Sequence, residues 1–395
     1  MPPSLQVRRF ESIHDVEESL WDSINPKGDF FHSHRFIQAV EDAGLGESRF
    51  WYLLFYNHHK PVGSAALSAF TVSLDLFMGR TCQRLVGRIR RRFPHFLEIT
   101  ILFCGLPISI GKHNLVTGAP LYTKDILRGL GQEMQQICRD HNIHFMCVKE
   151  FCRHHLPAMD LLTGQGFFRA PSIPYVSLPI RWPDFGAYLG SLRHHYRRQI
   201  RQSLKKMGNR ENKIHIHRCP PPASARPGLI LGQGNVCSPG QFFKLYREVM
   251  KKAGVQLEVL NRAFFENLFA KMQDQVEILT FQQGGDVLGA ALLCCREKTM
   301  TFLLVGLDYL RRDEYDVYFN LIYGIVKLAI DRKYEQLNLG QTSYYIKQRI
   351  GGTCHPLYFY LKSTSAPLHF SLKAFKKSLF PEPKVPTLNV FKRTG

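Results

Sequence analysis

WYLLFYNHHKPVGSAALSAF, residues 51–70, and VEILTFQQGGDVLGAALLCC, residues 276–295, are two versions of one pattern. In each, an apolar run carries a phenylalanine, Phe55 or Phe281, followed eight residues later by a glycine, Gly63 or Gly289. Each glycine leads into a small apolar run, Ser64-Ala65-Ala66-Leu67 or Ala290-Ala291-Leu292-Leu293. Between the apolar runs stand the polar turns Asn57-His58-His59-Lys60 and Gln283-Gly284-Gly285-Asp286. An apolar strand, a polar turn and a returning apolar strand predict a β-hairpin in both places.

Outward from each hairpin the same order follows, a helix and then a strand. In the first half the pattern predicts a helix over 123–141 and a strand over 143–148. In the second half it predicts a helix over 315–333 and a strand over 336–339. Leu321, Ile325, Leu328 and Ala329 have the i, i+4, i+7, i+8 spacing of one buried helical face. The matched order points to a duplicated α+β unit. The first copy carries an expected insertion at 71–118, and a long basic helix over 184–207 is expected to join the copies. A Pro-rich stretch from Cys219 to Pro227 extends to Gly240, so 208–240 reads as a surface loop. The expected domains are 1–180, a linker over 181–240, a catalytic unit over 241–365 and a basic tail over 366–395.

A 395-residue chain with 45% hydrophobic and 21% charged residues has room for two cores. No run approaches the roughly 18 apolar residues of a membrane span, and the first residues have no signal-peptide core. A cytoplasmic location is expected, at most peripheral to the inner face of the membrane. The scattered cysteines show no CxxC pairs and read as small reduced hydrophobes, so no metal is expected. His154-His155, His194-His195 and His215-Ile216-His217 match no ligand motif.

The net charge of +20 is concentrated. Arg80–Arg92 holds six Arg and no acid, Arg193–Lys206 six Lys or Arg and no acid, and 366–395 six Lys or Arg against Glu382. Local excess of this kind suits a phosphate-rich substrate, an RNA or an acidic membrane surface. The tail from His369 and the Arg80–Arg92 stretch with Phe77 and Phe93 both read as basic amphipathic helices. Packing of their apolar sides on the protein is the competing reading.

The element order resembles the GNAT (Gcn5-related N-acyltransferase) fold, and two such units in one chain resemble the FemAB-like and BioF2-like tandem acyltransferases. Three stretches carry the resemblance: WDSINPKGDFFHSHRFIQAVEDAG from Trp21, SLRHHYRRQIRQSLKK from Ser191, and LNLGQTSYYIKQRIGG from Leu337. It implies N-acyl transfer to an amine-bearing acceptor from an acyl-CoA or an aminoacyl-tRNA, the donor being a co-substrate and no cofactor tightly bound. The glycine loop that holds the acyl-CoA pyrophosphate in GNAT enzymes has no counterpart in Tyr309-Leu310-Arg311-Arg312-Asp313-Glu314-Tyr315. That departure and the basic segments favour tRNA as the donor. A non-catalytic RNA- or membrane-binding protein on a degenerate fold is the alternative.

The resemblance also implies site residues. In a GNAT fold the donor lies where two central strands splay, which points to 300–307 and its exit at Asp308. Asp308 either accepts the proton of the attacking amine or simply caps the following turn, which Asp does well. Lys347 falls at the family's closing lysine, where it would stabilise an oxyanion or bind phosphate. Tyr344 or Tyr345 would donate a hydrogen bond beside it, unless the pair only packs. Gly340, Gln341 and Arg349 would line the substrate site, and Arg197, Arg198 and Arg201 would clamp phosphates. The oligomeric state has no signal in the sequence.

Overall fold

The computed structural model describes residues 5–25, 29–73, 80–93, 95–108, 111–207, 212–218, 237–253 and 259–392. The strands are β1 (Gln6–Phe10), β2 (Arg49–Asn57), β3 (Lys60–Ser73), β4 (Glu98–Cys104), β5 (Leu115–Val116), β6 (Phe145–Cys152) and β7 (Phe168–Pro179). They continue as β8 (Asn212–Arg218), β9 (Val276–Gln283), β10 (Asp286–Arg296), β11 (Thr299–Leu307), β12 (Gln336–Gln341) and β13 (Thr353–Ser363). Both quoted stretches are hairpins, β2–β3 and β9–β10, and their glycines share a register: Phe55 opposes Gly63 and Phe281 opposes Gly289.

The register explains the glycines. A Cβ on Gly63 would stand 2.7 Å from Ile126 Cδ1, on the helix Thr123–Asp140. A Cβ on Gly289 would stand 2.6 Å from Val317 Cγ1, on the helix Val317–Asp331. In each copy the missing side chain lets a helix lie directly on the hairpin, a use of glycine for close approach. The turns differ in detail. Gly284 and Gly285 both take positive φ, at 54° and 92°, whereas in the first hairpin His58 does so, at 54°.

The chain divides into two compact units. Unit 1 comprises Met1–Ile173, Gly254–Leu260 and Pro356–Pro383; unit 2 comprises Pro174–Ala253, Asn261–His355 and Lys384–Gly395. The strand order is β1-β2-β3-β4-β6-β13 in unit 1 and β8-β9-β10-β11-β12-β7 in unit 2. In both, a parallel pairing lies between the fourth and fifth strands, β4 with β6 and β11 with β12. The last strand pairs antiparallel, β13 on β6 through Leu357–Ser363 and β7 on β12 through Tyr175–Pro179. Each sheet is therefore completed by a strand from outside the unit's main run of sequence. The fold is α+β, with two GNAT-like units in tandem.

The cores are built as the spacing predicts. Leu321, Ile325 and Ala329 are fully buried and Leu328 nearly so, in one cluster with Phe281, Leu337 and Leu339. Unit 1 buries Trp51, Leu53, Phe55, Ile126 and Leu130 together.

Four expectations differ from the structure. The stretch 208–240, read as a surface loop, contains β8 (Asn212–Arg218), which pairs antiparallel with β9. The region 71–118 is only partly an insertion, because it contains β4, the counterpart of β11; the helix Arg80–Arg90 is the extra element. The helix over 184–207 is two helices, Phe185–Ser191 and His194–Met207. At the break, Leu192 bridges Phe391, and Arg193 N–H donates to the Val390 carbonyl at 2.9 Å. Both helices lie within unit 2 and not between units, and the tail is divided, with 366–383 in unit 1 and 384–395 in unit 2. Most of the Pro-rich stretch lies outside the described residues, as does Phe77. No helix among the described residues is long and apolar enough to cross a membrane.

Candidate active site

In unit 2 the parallel strands part company early. β11 and β12 pair from Thr299↔Gln336 only to Thr301↔Asn338, although β11 runs to Leu307 and β12 to Gln341. Each strand carries a bulge where they diverge. Leu303 has no partner between the pairs Leu293↔Phe302 and Leu292↔Leu304. Leu339 has none between Asn338↔Ser177 and Gly340↔Val176. Bulges bend a strand and redirect its groups, and here they open a fork. Asp308 N–H donates to the Leu288 carbonyl at 2.8 Å. By antiparallel alternation, Val305 and Leu307 then turn their backbone groups away from β10, toward the fork.

Beyond the fork, β12 enters a strained turn. Gly340, Thr342 and Ser343 all have positive φ, at 71°, 59° and 50°. For non-glycine residues such conformations cost about 1–3 kcal/mol each and need support from their surroundings. Support comes from Tyr318, whose hydroxyl bonds the Ser343 side chain, and from Ile346 N–H, which donates to the Ser343 carbonyl at 3.1 Å. The turn starts the helix Tyr344–Arg349, which ends at Gly351 with φ 93°. Gly351 N–H donates to Gln348 O and Gly352 N–H to Lys347 O, satisfying carbonyls at the helix end.

The turn and helix bring Lys347 to the fork. Its side chain is buried, and Nζ donates to the Gln341 carbonyl at 2.6 Å. A Cβ on Gly340 would lie 3.3 Å from the Phe302 carbonyl of β11 and 4.0 Å from Lys347 Nζ. The amine thus sits at the point where the strands separate. Burial pushes it down to about 7, opposed weakly by the Cys354 thiol. Gln348 Nε2 donates to Cys354 Sγ at 3.5 Å. An amine tuned this way is neutral or protonated according to modest changes in pH, which suits proton transfer.

Of the residues expected at the site, Gly340, Gln341 and Lys347 come together. Arg349 hydrogen-bonds Gln199 on the helix His194–Met207 and lies over the Tyr345 ring at 5.3 Å. Tyr345 itself is 56% exposed. Arg198 and Arg201 are exposed and Arg197 half-buried on that same basic helix. Asp308 stands at the far end of β11, where Oδ1 accepts from Leu310 N–H at 2.9 Å and Oδ2 pairs with Arg311 at 3.3 Å. Those are the bonds of a turn residue. The segment 309–315 runs as turns to the helix Val317–Asp331. Asp316, in the N-cap position, presents its carboxylate to Ser203 Oγ at 2.8 Å and Lys206 Nζ at 3.0 Å. A carboxylate there opposes a second anion at this helix start.

Residues 194–348 match the model of the acetyltransferase (GNAT) domain. This stretch is similar to a GNAT domain. It opens with the basic helix His194–Met207 and closes at Gln348, beside Lys347. Among solved structures, FemX superposes with a TM-score of 0.56 at 12% identity, covering 93% of this chain and 100% of that one. A tandem GNAT protein from the clavulanic acid biosynthesis pathway gives 0.51 at 8% identity, covering 91% and 99%. At these identities the likeness is one of fold. In sequence, the chain is 24% identical over 344 residues to a Mycobacterium tuberculosis protein with the provisional name 8-amino-7-oxononanoate synthase 2. That match takes in 83% of this chain and 42% of the relative, so the chain spans less than half of its length.

Three features around Lys347 have no readable signal in the sequence. Tyr318 and Cys354 look like ordinary helix and strand residues in sequence. The left-handed Thr342-Ser343 pair is the reverse of what threonine prefers; only the neighbouring Gly340 hints at an unusual turn.

Proposed function

We propose that the chain is an N-acyltransferase whose reaction centre is the fork between β11 and β12. The observation that carries this reading is the buried Lys347 amine at the fork, shifted to about 7. The acceptor amine attacks the donor carbonyl carbon, a new C–N bond forms, and the ester C–O or thioester C–S bond breaks. Lys347, neutral beforehand, takes the proton released by the attacking amine and returns it to the leaving oxygen or sulfur. The outward backbone groups of Val305 and Leu307 pair with the donor and hold its carbonyl in reach.

The donor is an aminoacyl-tRNA, used as a co-substrate. Support comes from the Asp316 carboxylate at the helix start, from the lack of glycine in 309–315, and from the exposed Arg198 and Arg201 on the helix whose Gln199 bonds Arg349. The acceptor bears an amine and is approached from an anionic membrane surface. Phe370, Phe375 and Leu379 are 74%, 65% and 49% exposed among Lys373, Lys376 and Lys377, a combination suited to anionic lipid. Leu372 and Phe380 of the same tail pack on the protein instead.

Titration with charged tRNA, uncharged tRNA and acyl-CoAs at near-physiological salt tests the donor, since basic proteins bind RNA unselectively at low salt. Preference for charged tRNA, with deacylation accelerated by added amines, is expected. Tight acyl-CoA binding with no preference for charged tRNA would overturn the donor assignment and leave acyl transfer standing. Flotation with anionic but not neutral vesicles is expected, and equal failure with both removes the membrane contact.

A further inference from the structure

Unit 1 contains a cluster of thiol and imidazole groups that the acyl-transfer reading does not use. β6 ends at Cys152, and a single 3-10 turn, Arg153–His155, follows it directly. The potential ligand atoms of Cys152, His154 and His155 all lie within 4.8 Å of one another. The His154 and His155 rings are 3.9 Å apart between centroids. His113, from the segment before β5, sets its ring edge-on to His155 at 4.7 Å. We propose that Cys152, His154, His155 and His113 form a binding site for a zinc-class divalent ion.

Two further observations support a ligand here. Nδ1 of His113 and Nδ1 of His155 are both buried with no hydrogen-bond partner. Leaving a buried polar atom unsatisfied is costly, and coordination removes that cost. The His113 ring also has a backbone hydrogen bond to Leu115 and stacks on Phe151 at 4.9 Å. An outer partner of this kind fixes the orientation of a ligating imidazole. One sulfur and three nitrogens, with no carboxylate, match the preferences of zinc over calcium or magnesium. Binding would release the Cys152 thiol proton to solvent and tie the end of β6 to the segment before β5.

The full chain, treated with chelator and desalted, is titrated with zinc chloride by calorimetry and with cobalt chloride by absorption. One saturable equivalent is expected, with a thiolate-to-cobalt charge-transfer band and a higher melting temperature with zinc. Cys152→Ser should abolish the band, and His155→Ala should weaken binding by at least about tenfold. Should either variant fold poorly, His154→Ala changes an exposed side chain and should still weaken binding. His194→Ala, on the basic helix of unit 2, should leave it unchanged. No saturable site, or binding indifferent to all three cluster substitutions, overturns the proposal.

Discussion

The two units share a strand order, and they part at the end of the fifth strand. In unit 2 that strand, β12, leads through Gly340–Ser343 to a helix carrying a buried amine beside an open fork. In unit 1 the corresponding strand, β6, leads to the Cys152–His155 turn. Among the described residues there is no comparable fork: β4 pairs with β6 up to its last residue, Cys104↔Val148. Just beyond, the Lys149 side chain packs so closely on Gly105 that a Cβ there would stand 2.6 Å from Lys149 Cε. The lesson is that a duplicated frame fixes where chemistry can sit, while bulges and turn residues determine which copy has room for it.

The comparison breaks most readily at Lys347. Lys347→Met should lower turnover by about 10²–10⁴-fold, the usual range for a general base, without loss of fold. Lys347→Arg should fail equally, because arginine keeps its proton. Activity in the arginine variant would mean that a fixed cation suffices and that Lys347 stabilises charge instead of moving protons.

A smaller effect separates the two units. Gly340→Leu would place a side chain between the Phe302 carbonyl and Lys347 Nζ at a positive φ. It should reduce turnover by about 10²-fold, as a misplaced reactant does, and cost roughly 1–3 kcal/mol of stability. Gly105→Ala in unit 1, at φ 146°, should cost comparable stability in urea unfolding but leave turnover per folded molecule unchanged. Equal loss of turnover in both variants would erase the distinction between the units.

The buried amine also has a stability signature. Its folded value, about 7, lies below the ordinary 10.5, so between those values the unfolded chain holds the proton more tightly than the folded one. Stability should therefore rise with pH across that window. Melting curves at both ends should show wild type gaining on Lys347→Met as pH increases; parallel behaviour would place the amine near its ordinary value.

The smallest effect is expected at Asp308. Its bonds to Leu310 N–H and Arg311 predict that Asp308→Ala costs about 1 kcal/mol of stability, with turnover within about threefold. A loss like that of Lys347→Met would return Asp308 to proton transfer.

The hairpins were legible because each glycine is required by a helix packed on it, and both copies repeat that requirement. The Leu321–Ala329 face was legible because helical periodicity reports burial directly. Lys347 could be marked only through the motif around it, since composition says nothing of its burial. The exchange of final strands left no trace, because β7 and β13 read as ordinary strands whichever sheet they join. The break at Leu192–Arg193 depends on Val390–Lys392, nearly two hundred residues away in sequence. The Cys152 cluster was obscured for a related reason: His113 reaches it from a separate segment, and no short motif records that.

Carbon NMR of protein carrying carbon-13 at the lysine ε-methylene, followed against pH and assigned with Lys347→Met, decides whether the Lys347 amine can act as a base. One lysine titrating with a midpoint near 7, absent from the variant, is the predicted result. A Lys347 midpoint near 10 would contradict it, because the amine would then stay protonated and could not accept the proton of an attacking amine.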